Sequence, residues 1–196
     1  MLLIKQHNVK ASLLSIVALV LVAGCAQLSP QQVSFEPSIP IDGLIEGTGT
    51  ISLSAQDKRA SNVIGIRGGS YAQTSTLTPK VPLTEVVQSI ASQILQRGGF
   101  ELTDSLPDKT VEIQITELSF VTTDERASIK RNTAVAAVAV VVNKGNVTYE
   151  NNYKTTQYIE TLGYPKEDDN ETLLNGVFDA VLERLFRDPK LEAFLQ

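Results

Sequence analysis

The side chains best suited to nucleophilic catalysis are scarce in this chain. Among 196 residues there is one cysteine, Cys25, and one histidine, His7. Serine and cysteine nucleophiles usually need an imidazole that titrates near neutral pH, and zinc sites are built mainly from histidine and cysteine. His7 precedes an apolar run over 11–22 that is typical of an export signal, so signal cleavage would remove it. The exported chain then lacks an imidazole, which argues against triad hydrolases and His/Cys zinc sites.

Asp57 and Arg59 form the first candidate site, because they lie two residues apart at the end of a predicted strand. Residues at this spacing project from the same side of a strand. The two side chains could pair with each other or bind a carboxylate or phosphate of a ligand. We favour the ion pair, since such surface pairs are common and contribute only about 0–1 kcal/mol.

Tyr149, Tyr153 and Tyr158 form the second candidate site, within a strand-like segment over 147–159. Together they could form a binding face for a peptide or a glycan. Packing between neighbouring strands is the interpretation we favour, because aromatic cross-strand pairs are a common way to stabilise a sheet.

Acidic side chains cluster before the last long helix, at Glu167, Asp168, Asp169 and Glu171. Such a cluster could hold calcium, but its spacing does not match the EF-hand loop. Acids at the start of a helix also complement its dipole, so a solvated helix cap is favoured. The sequence therefore predicts no metal site and no cofactor.

The charge of the exported chain argues against nucleic acid as a partner. Removing Lys5 and Lys10 from the 17 basic residues leaves 15 against 22 acidic residues, a formal charge of −7, and no basic block remains. Nucleic-acid affinity depends largely on neutralising phosphates with basic side chains.

The N-terminus has the organisation of a signal peptide. Lys5 and Lys10 precede the apolar run over 11–22, which ends shortly before Gly24 and Cys25. A membrane-spanning helix needs about 20 apolar residues, so export is favoured over spanning. We predict a signal peptide over 1–24.

The tetrapeptide Val22-Ala23-Gly24-Cys25 resembles the lipobox of bacterial lipoproteins. That resemblance implies cleavage between Gly24 and Cys25 and acylation of the Cys25 sulfur and of its new amine, and two or three acyl chains would anchor the chain stably. An ordinary secretory signal would instead leave an unpaired thiol in an oxidising compartment. In the enterobacterial lipoprotein pattern, an aspartate directly after the cysteine keeps the protein in the inner membrane, so with Ala26 at that position the resemblance implies the outer membrane.

A flexible tether is predicted over 26–40. Pro30, Pro37 and Pro40 interrupt this stretch, and it shows neither helical nor alternating periodicity. Fully extended it would reach about 50 Å at about 3.3 Å per residue. Residues 41–196 then form a single periplasmic domain.

Periodicity defines the elements of this domain. Alternation predicts strands over 51–55 and 111–120, with a bulge near Thr116 and Glu117 where the parity changes. The other predicted elements are a short strand over 63–66, a helix over 83–98 stopped by a left-handed Gly98, a central strand over 134–142, a hairpin strand over 147–159, a helix over 173–186 broken by Pro189, and a terminal turn over 190–195.

These elements predict an α+β two-layer sandwich. Two one-sided helices should cover the same face of a mainly antiparallel β-sheet, which leaves the other face open.

The order of features also resembles the YajG-type lipoproteins of Gram-negative bacteria. The resemblance rests on the lipobox, on Gln56-Asp57-Lys58-Arg59, on Arg97-Gly98-Gly99-Phe100, and on the tail over 188–196 with its Leu191, Phe194 and Leu195. It covers most of the exported chain and implies an envelope lipoprotein without an assigned activity.

Three functions follow, in order of preference. The first is a non-enzymatic interaction module on the periplasmic face of the outer membrane, held by the acyl chains on Cys25 and engaging an envelope protein through the open sheet face or a strand edge. The second is a binding protein for a small envelope ligand, a lipid or a glycan. The third is a hydrolase that uses two carboxylates.

Overall fold

The computed structural model describes residues 28–40, 43–69 and 72–196. The predicted signal peptide, Gly24 and Cys25 lie outside these ranges. Within them the strands are β1 Gln31–Val33, β2 Thr50–Asp57, β3 Gly65–Ile66, β4 Thr76–Pro79, β5 Glu101–Leu102, β6 Lys109–Arg126, β7 Ile129–Lys144 and β8 Val147–Leu162. The α-helices are α1 Leu83–Arg97, α2 Glu167–Phe186 and α3 Pro189–Leu195, and Ala72–Thr74 is a 3-10 turn.

One mixed sheet contains all of these strands. Its longest strands, β6, β7 and β8, pair antiparallel as a meander. The other edge of β6 pairs in parallel with β2 along its first part and with β3 at Phe120, while β5 lies beside β2 and β4 and β1 lie beyond β3. The α+β class is confirmed, but the mainly antiparallel two-layer arrangement is not. The chain returns from β2 to β6 through α1, and crossover connections of this length join parallel strands.

The helices cover one face of the sheet. Side chains at alternate positions of β6 and β7, such as Val111, Ile113 and Val140, are buried in a single core with the apolar sides of α1 and α2. α1 packs on β2 and β5, and α2 packs on β7 and β8. Within the described ranges, no helix has the length and apolar character needed to cross a membrane.

The predicted bulge in β6 is confirmed. The register with β7 shifts between Ile115 and Glu117, after which Leu118 faces Ala136 and Phe120 faces Ala134. One extra residue therefore returns the apolar side chains to the helix-covered face.

The predicted left-handed stop at Gly98 is one residue too early. Gly98 has a φ of −69° and caps α1 by donating its N–H to Ile94 O, whereas Gly99 has a φ of 97°. A side chain at Gly98 would collide with the carbonyl oxygen of Ile45, so Gly98 allows close packing against Ile45. The left-handed conformation is adopted by Gly99 instead.

Residues 31–39 fold onto the domain and are here named the N-terminal strap. β1 pairs in parallel with β4, and Val33, Phe35 and Ile39 are buried. The predicted tether is therefore wrong over this stretch, and the folded part begins before the predicted boundary at residue 41. Sequence patterns could not show this, because the strap's partners on α2 lie 136 to 141 residues further along the chain.

Hydrogen bonds fasten the strap to α2 at regular intervals. The backbone N–H groups of Ser34 and Glu36 donate to the side chains of Glu171 and Asn175, at 2.7 and 3.0 Å. Ser38 N donates to Asp179 at 3.3 Å. Two residues of extended chain advance about 6.6 Å and four residues of helix about 6 Å, so the two periods match. Each of these contacts satisfies a backbone donor that a free tether would leave to water.

Candidate functional site

Asp57 and Arg59 form the ion pair that the sequence favours. Arg59 Nη2 and Nε lie 2.7 and 3.0 Å from the two Asp57 carboxylate oxygens, and the Arg59 backbone N–H also donates to Asp57. Partial burial opposes ionisation, but these hydrogen bonds lower the pKa of the Asp57 carboxyl overall. The arginine side chain is only 6% exposed. Its Nε and Nη2 are engaged by Asp57 and its Nη1 is buried, so the guanidinium is poorly placed to capture a carboxylate or phosphate of a ligand from solution.

Tyr149 and Tyr153 share the helix-covered face of β8 and both donate to Asp188, which joins α2 to α3. Their hydroxyls lie 2.9 and 2.6 Å from Asp188 Oδ2, and Asn151 Nδ2 donates to the same oxygen at 2.9 Å. Burial and the Asp188 hydrogen bond raise the pKa of Tyr153. Tyr153 therefore remains a neutral donor. The cluster of Tyr149, Asn151, Tyr153 and Asp188 holds the junction between α2 and α3 against the sheet.

The cluster strongly stabilises the charged form of Asp188. Partial burial alone would raise its pKa, but hydrogen bonds from Tyr153, the Lys190 backbone, Tyr149 and Asn151 lower it to about 2. Asp188 also accepts from Lys190 N at 2.8 Å and so caps α3, whose first residue is Pro189. Pro189 therefore starts a helix as well as ending one.

Tyr158 is not part of this cluster. It lies five residues after Tyr153, and an odd step along a strand reverses the face. Its ring is exposed on the open face, with the Arg131 guanidinium 4.9 Å away, and Arg131 also pairs with Glu160 and Glu125. The three tyrosines therefore do not form one binding face.

Asp188 and Asn151 are site residues that the sequence analysis missed. An aspartate followed directly by proline is a recognisable helix start, because aspartate is a preferred N-cap and proline suits the first helical position. That signal would have identified the cap, although not the tyrosines that reach it.

We expect Asp188→Ala to destabilise the domain by about 2–3 kcal/mol. The change removes the N-cap of α3. It also leaves the hydroxyl of Tyr153, a residue that is 7% exposed, without its acceptor. Urea unfolding measures the loss. Glu150→Ala, at an exposed acid on the open face, is the matched control and should change stability by less than about 0.5 kcal/mol. Equal losses in the two variants would contradict the role given to the cluster.

The same carboxylate should make stability depend on pH in a defined window. The folded pKa of Asp188 lies below its ordinary value of 3.8. Its contribution to the free energy of unfolding is therefore present above pH 3.8 and is lost as the pH falls toward about 2. Asp188→Asn should remove this part of the acid sensitivity. An unchanged slope of unfolding free energy against pH in Asp188→Asn would show that other carboxyls carry it.

The acidic cluster of α2 serves the fold. Glu167 accepts from Arg67 at 2.8 Å, Glu171 accepts from the strap, and Asp169 accepts from the Lys166 backbone at 3.0 Å at the start of the helix. Among the described residues there is no group of acidic, histidine and cysteine side chains that could hold a metal ion.

The fold places the chain in the class of α+β domains with helices on one face of a mixed sheet. Most of its candidate site residues contact one another. A family model described as "Uncharacterized lipoprotein" matches residues 39–196. The chain belongs to this lipoprotein family, which confirms the resemblance to YajG-type lipoproteins and indicates a membrane-anchored place in the cell envelope. The family's description assigns no activity.

The comparison with solved structures found partial likenesses to proteins from several bacteria. A protein from Xanthomonas campestris is 9% identical, with 86% of this chain and 95% of that chain covered and a TM-score of 0.46. A hypothetical protein from Chlamydia trachomatis is 14% identical, with coverages of 76% and 98% and a TM-score of 0.46. A minor lipoprotein from Acinetobacter baumannii is 8% identical, with coverages of 76% and 92% and a TM-score of 0.42. No curated protein matches the chain.

Proposed function

We propose that this lipoprotein is a non-enzymatic interaction module of the cell envelope, anchored through acyl chains on Cys25 to the periplasmic face of the outer membrane. The observation that carries the proposal is the sheet face opposite the helices. It runs along the long meander of β6, β7 and β8, and among the described elements the helices pack only against the other side.

The floor of this open face is apolar and its borders are polar. Val135, Ala137, Ala139 and Val141 of β7 point to it and are half-buried. They are flanked by longer side chains of the neighbouring strands, and Lys154 of β8 pairs with Glu117 of β6 at 2.8 Å. A broad surface with an apolar centre and a polar rim is typical of protein interfaces, whereas small ligands favour concave pockets.

The outer strand β8 extends this surface to an edge. Its 16 residues pair only with β7 among the described strands. A partner strand could therefore add to the sheet, a common mode of peptide recognition, and charged residues such as Glu150 and Glu160 would limit unspecific pairing.

The carboxylates support a binding role over a hydrolytic one. Hydrogen bonds lower the pKa of Asp57, Glu117 and Asp188, although partial burial opposes this in each. Such groups are poor proton donors at neutral pH. In the described part, a raised carboxyl pKa is found at Asp179, which is desolvated by burial under the strap and bound to Ser38.

Photo-crosslinking in cells tests the proposal. Probes at Asn152 and Thr156, two exposed open-face positions of β8, should give adducts with an envelope protein. Gln93 and Gln96, exposed positions of α1 on the helix-covered side, are the matched controls. If neither β8 position gave an adduct, the result would count against the open face as the binding surface. Adducts at the α1 positions in the same amount as at the β8 positions would count against it as well.

A further inference from the structure

The strap decides at which end of the domain the chain leaves toward Cys25. β1 is parallel to β4, β4 is antiparallel to β3, and β3 is parallel to β6, so β1 runs opposite to β6. Going backward from Gln31, the chain therefore heads toward the hairpin tip between β6 and β7. Ser29 O accepts from Arg67 at 2.9 Å, and the Leu28 side chain lies beside Gly69.

The remaining connection to Cys25 is short. Three residues lie between Cys25 and Ser29, so the four Cα–Cα steps from one to the other span at most about 14 Å of fully extended chain. β7, with 16 residues, is about 50 Å long at about 3.3 Å per residue. An anchor at Cys25 would thus hold the hairpin tip near the lipid and place the Gly145-Asn146 turn far from it.

The end near the tip exposes side chains suited to a bilayer interface. Leu162 is 84% exposed and Tyr164 is 43% exposed. The Tyr164 ring lies against Gly68, and Lys130 Nζ is 4.6 Å from the ring centre. Tyrosine and lysine are the residues that place an apolar body in the lipid boundary and a polar end in water.

Charge does not decide this contact. Apart from the paired Arg131 and Glu160, the ends of the surrounding strands and of α2 carry three basic side chains, Arg126, Lys130 and Lys166, and four acidic ones, Asp124, Glu125, Glu167 and Asp168. Because basic side chains are not in excess, attraction to the bilayer must come from Leu162, Tyr164 and the short connection.

We propose that the hairpin tip, with Leu162 and Tyr164, docks on the bilayer that holds the acyl chains, so that the meander stands away from the membrane. This inference rests on the acylation of Cys25 in the proposed function. It adds an orientation, in which the open face is presented along its whole length to the periplasm.

Two turn residues at opposite ends of β7 make a matched pair for the test. Ser128→Cys and Asn146→Cys place a bimane label at exposed turns in the acylated chain, where the Cys25 sulfur is consumed by its thioether. The chain is reconstituted into vesicles of phosphatidylethanolamine and phosphatidylglycerol with brominated acyl chains. Quenching at position 128 should exceed that at 146 several-fold. Equal quenching, or more at 146, would overturn the orientation.

An extended connection separates docking from mere tethering. With 20 Gly/Ser residues inserted after Ala26, quenching at 128 should still exceed that at 146, and adding Leu162→Ser should reduce it. Loss of the difference on extension alone would overturn docking. The mass of the N-terminal peptide distinguishes the two proposals: an unacylated Cys25 overturns the anchor and the orientation together, while an acylated Cys25 without preferential quenching overturns the orientation alone.

Discussion

Replacing Cys25 with serine should abolish the incorporation of labelled palmitate. It should also prevent cleavage of the signal peptide after Gly24. The hydroxyl cannot form the thioether on which lipobox processing depends. Each buried methylene contributes about 0.8 kcal/mol, so losing the two or three acyl chains proposed for Cys25 would remove an essentially permanent anchor. The measurement is palmitate label in the purified chain, together with its N-terminal mass.

A neighbouring substitution controls for this experiment. Gln27→Ser introduces the same residue two positions later and keeps the thiol, so labelling should equal that of the unchanged chain. Continued palmitate labelling of Cys25→Ser would show that the acyl chains are attached elsewhere, and the anchor assigned to Cys25 would be wrong.

Phe35→Ala should destabilise the domain by about 3–5 kcal/mol, the usual cost of deleting a buried phenylalanine. Phe35 is 5% exposed, and its ring packs edge-on against Phe178 of α2 with 5.2 Å between centroids. A residue in a free tether would contribute nothing. Urea unfolding of a chain that starts after Cys25 measures the change.

Gln32→Ala is the matched control for Phe35. Gln32 belongs to the same strap but is exposed, so its truncation should cost less than about 0.5 kcal/mol. If Phe35→Ala unfolded at the same urea concentration as Gln32→Ala, the strap would be detached from α2 in solution, and the short connection to Cys25 would no longer follow.

Local patterns were sufficient for the long elements of the domain, although not for the short strands β1, β4 and β5 or for α3. The apolar positions of α1, from Leu83 to Leu95, repeat with helical spacing, and all of them are buried. The parity change in β6 predicts the bulge because a strand with one buried face must keep its apolar side chains on that face. In both cases the physical cause lies within a few residues of the pattern.

The nine-residue Ala/Val run shows where a local pattern becomes ambiguous. It is the middle of β7, between β6 and β8, as expected for a central strand. Its composition alone does not show which side chains face the helices. In the structure Ala134, Ala136 and Val138 are buried under them, while Val135 and Ala137 form part of the open face.

The sequence by itself determined the two long helices, the main strands, the bulge and a lipoprotein signature, because each depends on neighbouring residues. The terminal turn predicted over 190–195 is wrong, since Asp188 caps a helix over Pro189–Leu195. Only the tertiary structure decided that β2 and β6 are parallel, that the strap joins the domain, and that Asp188 gathers Tyr149 and Tyr153 but not Tyr158. The physical reason is distance along the chain. Hydrogen bonds such as Ser34 to Glu171 or Tyr149 to Asp188 join residues 137 and 39 positions apart, and such contacts form only when the whole core brings their elements together.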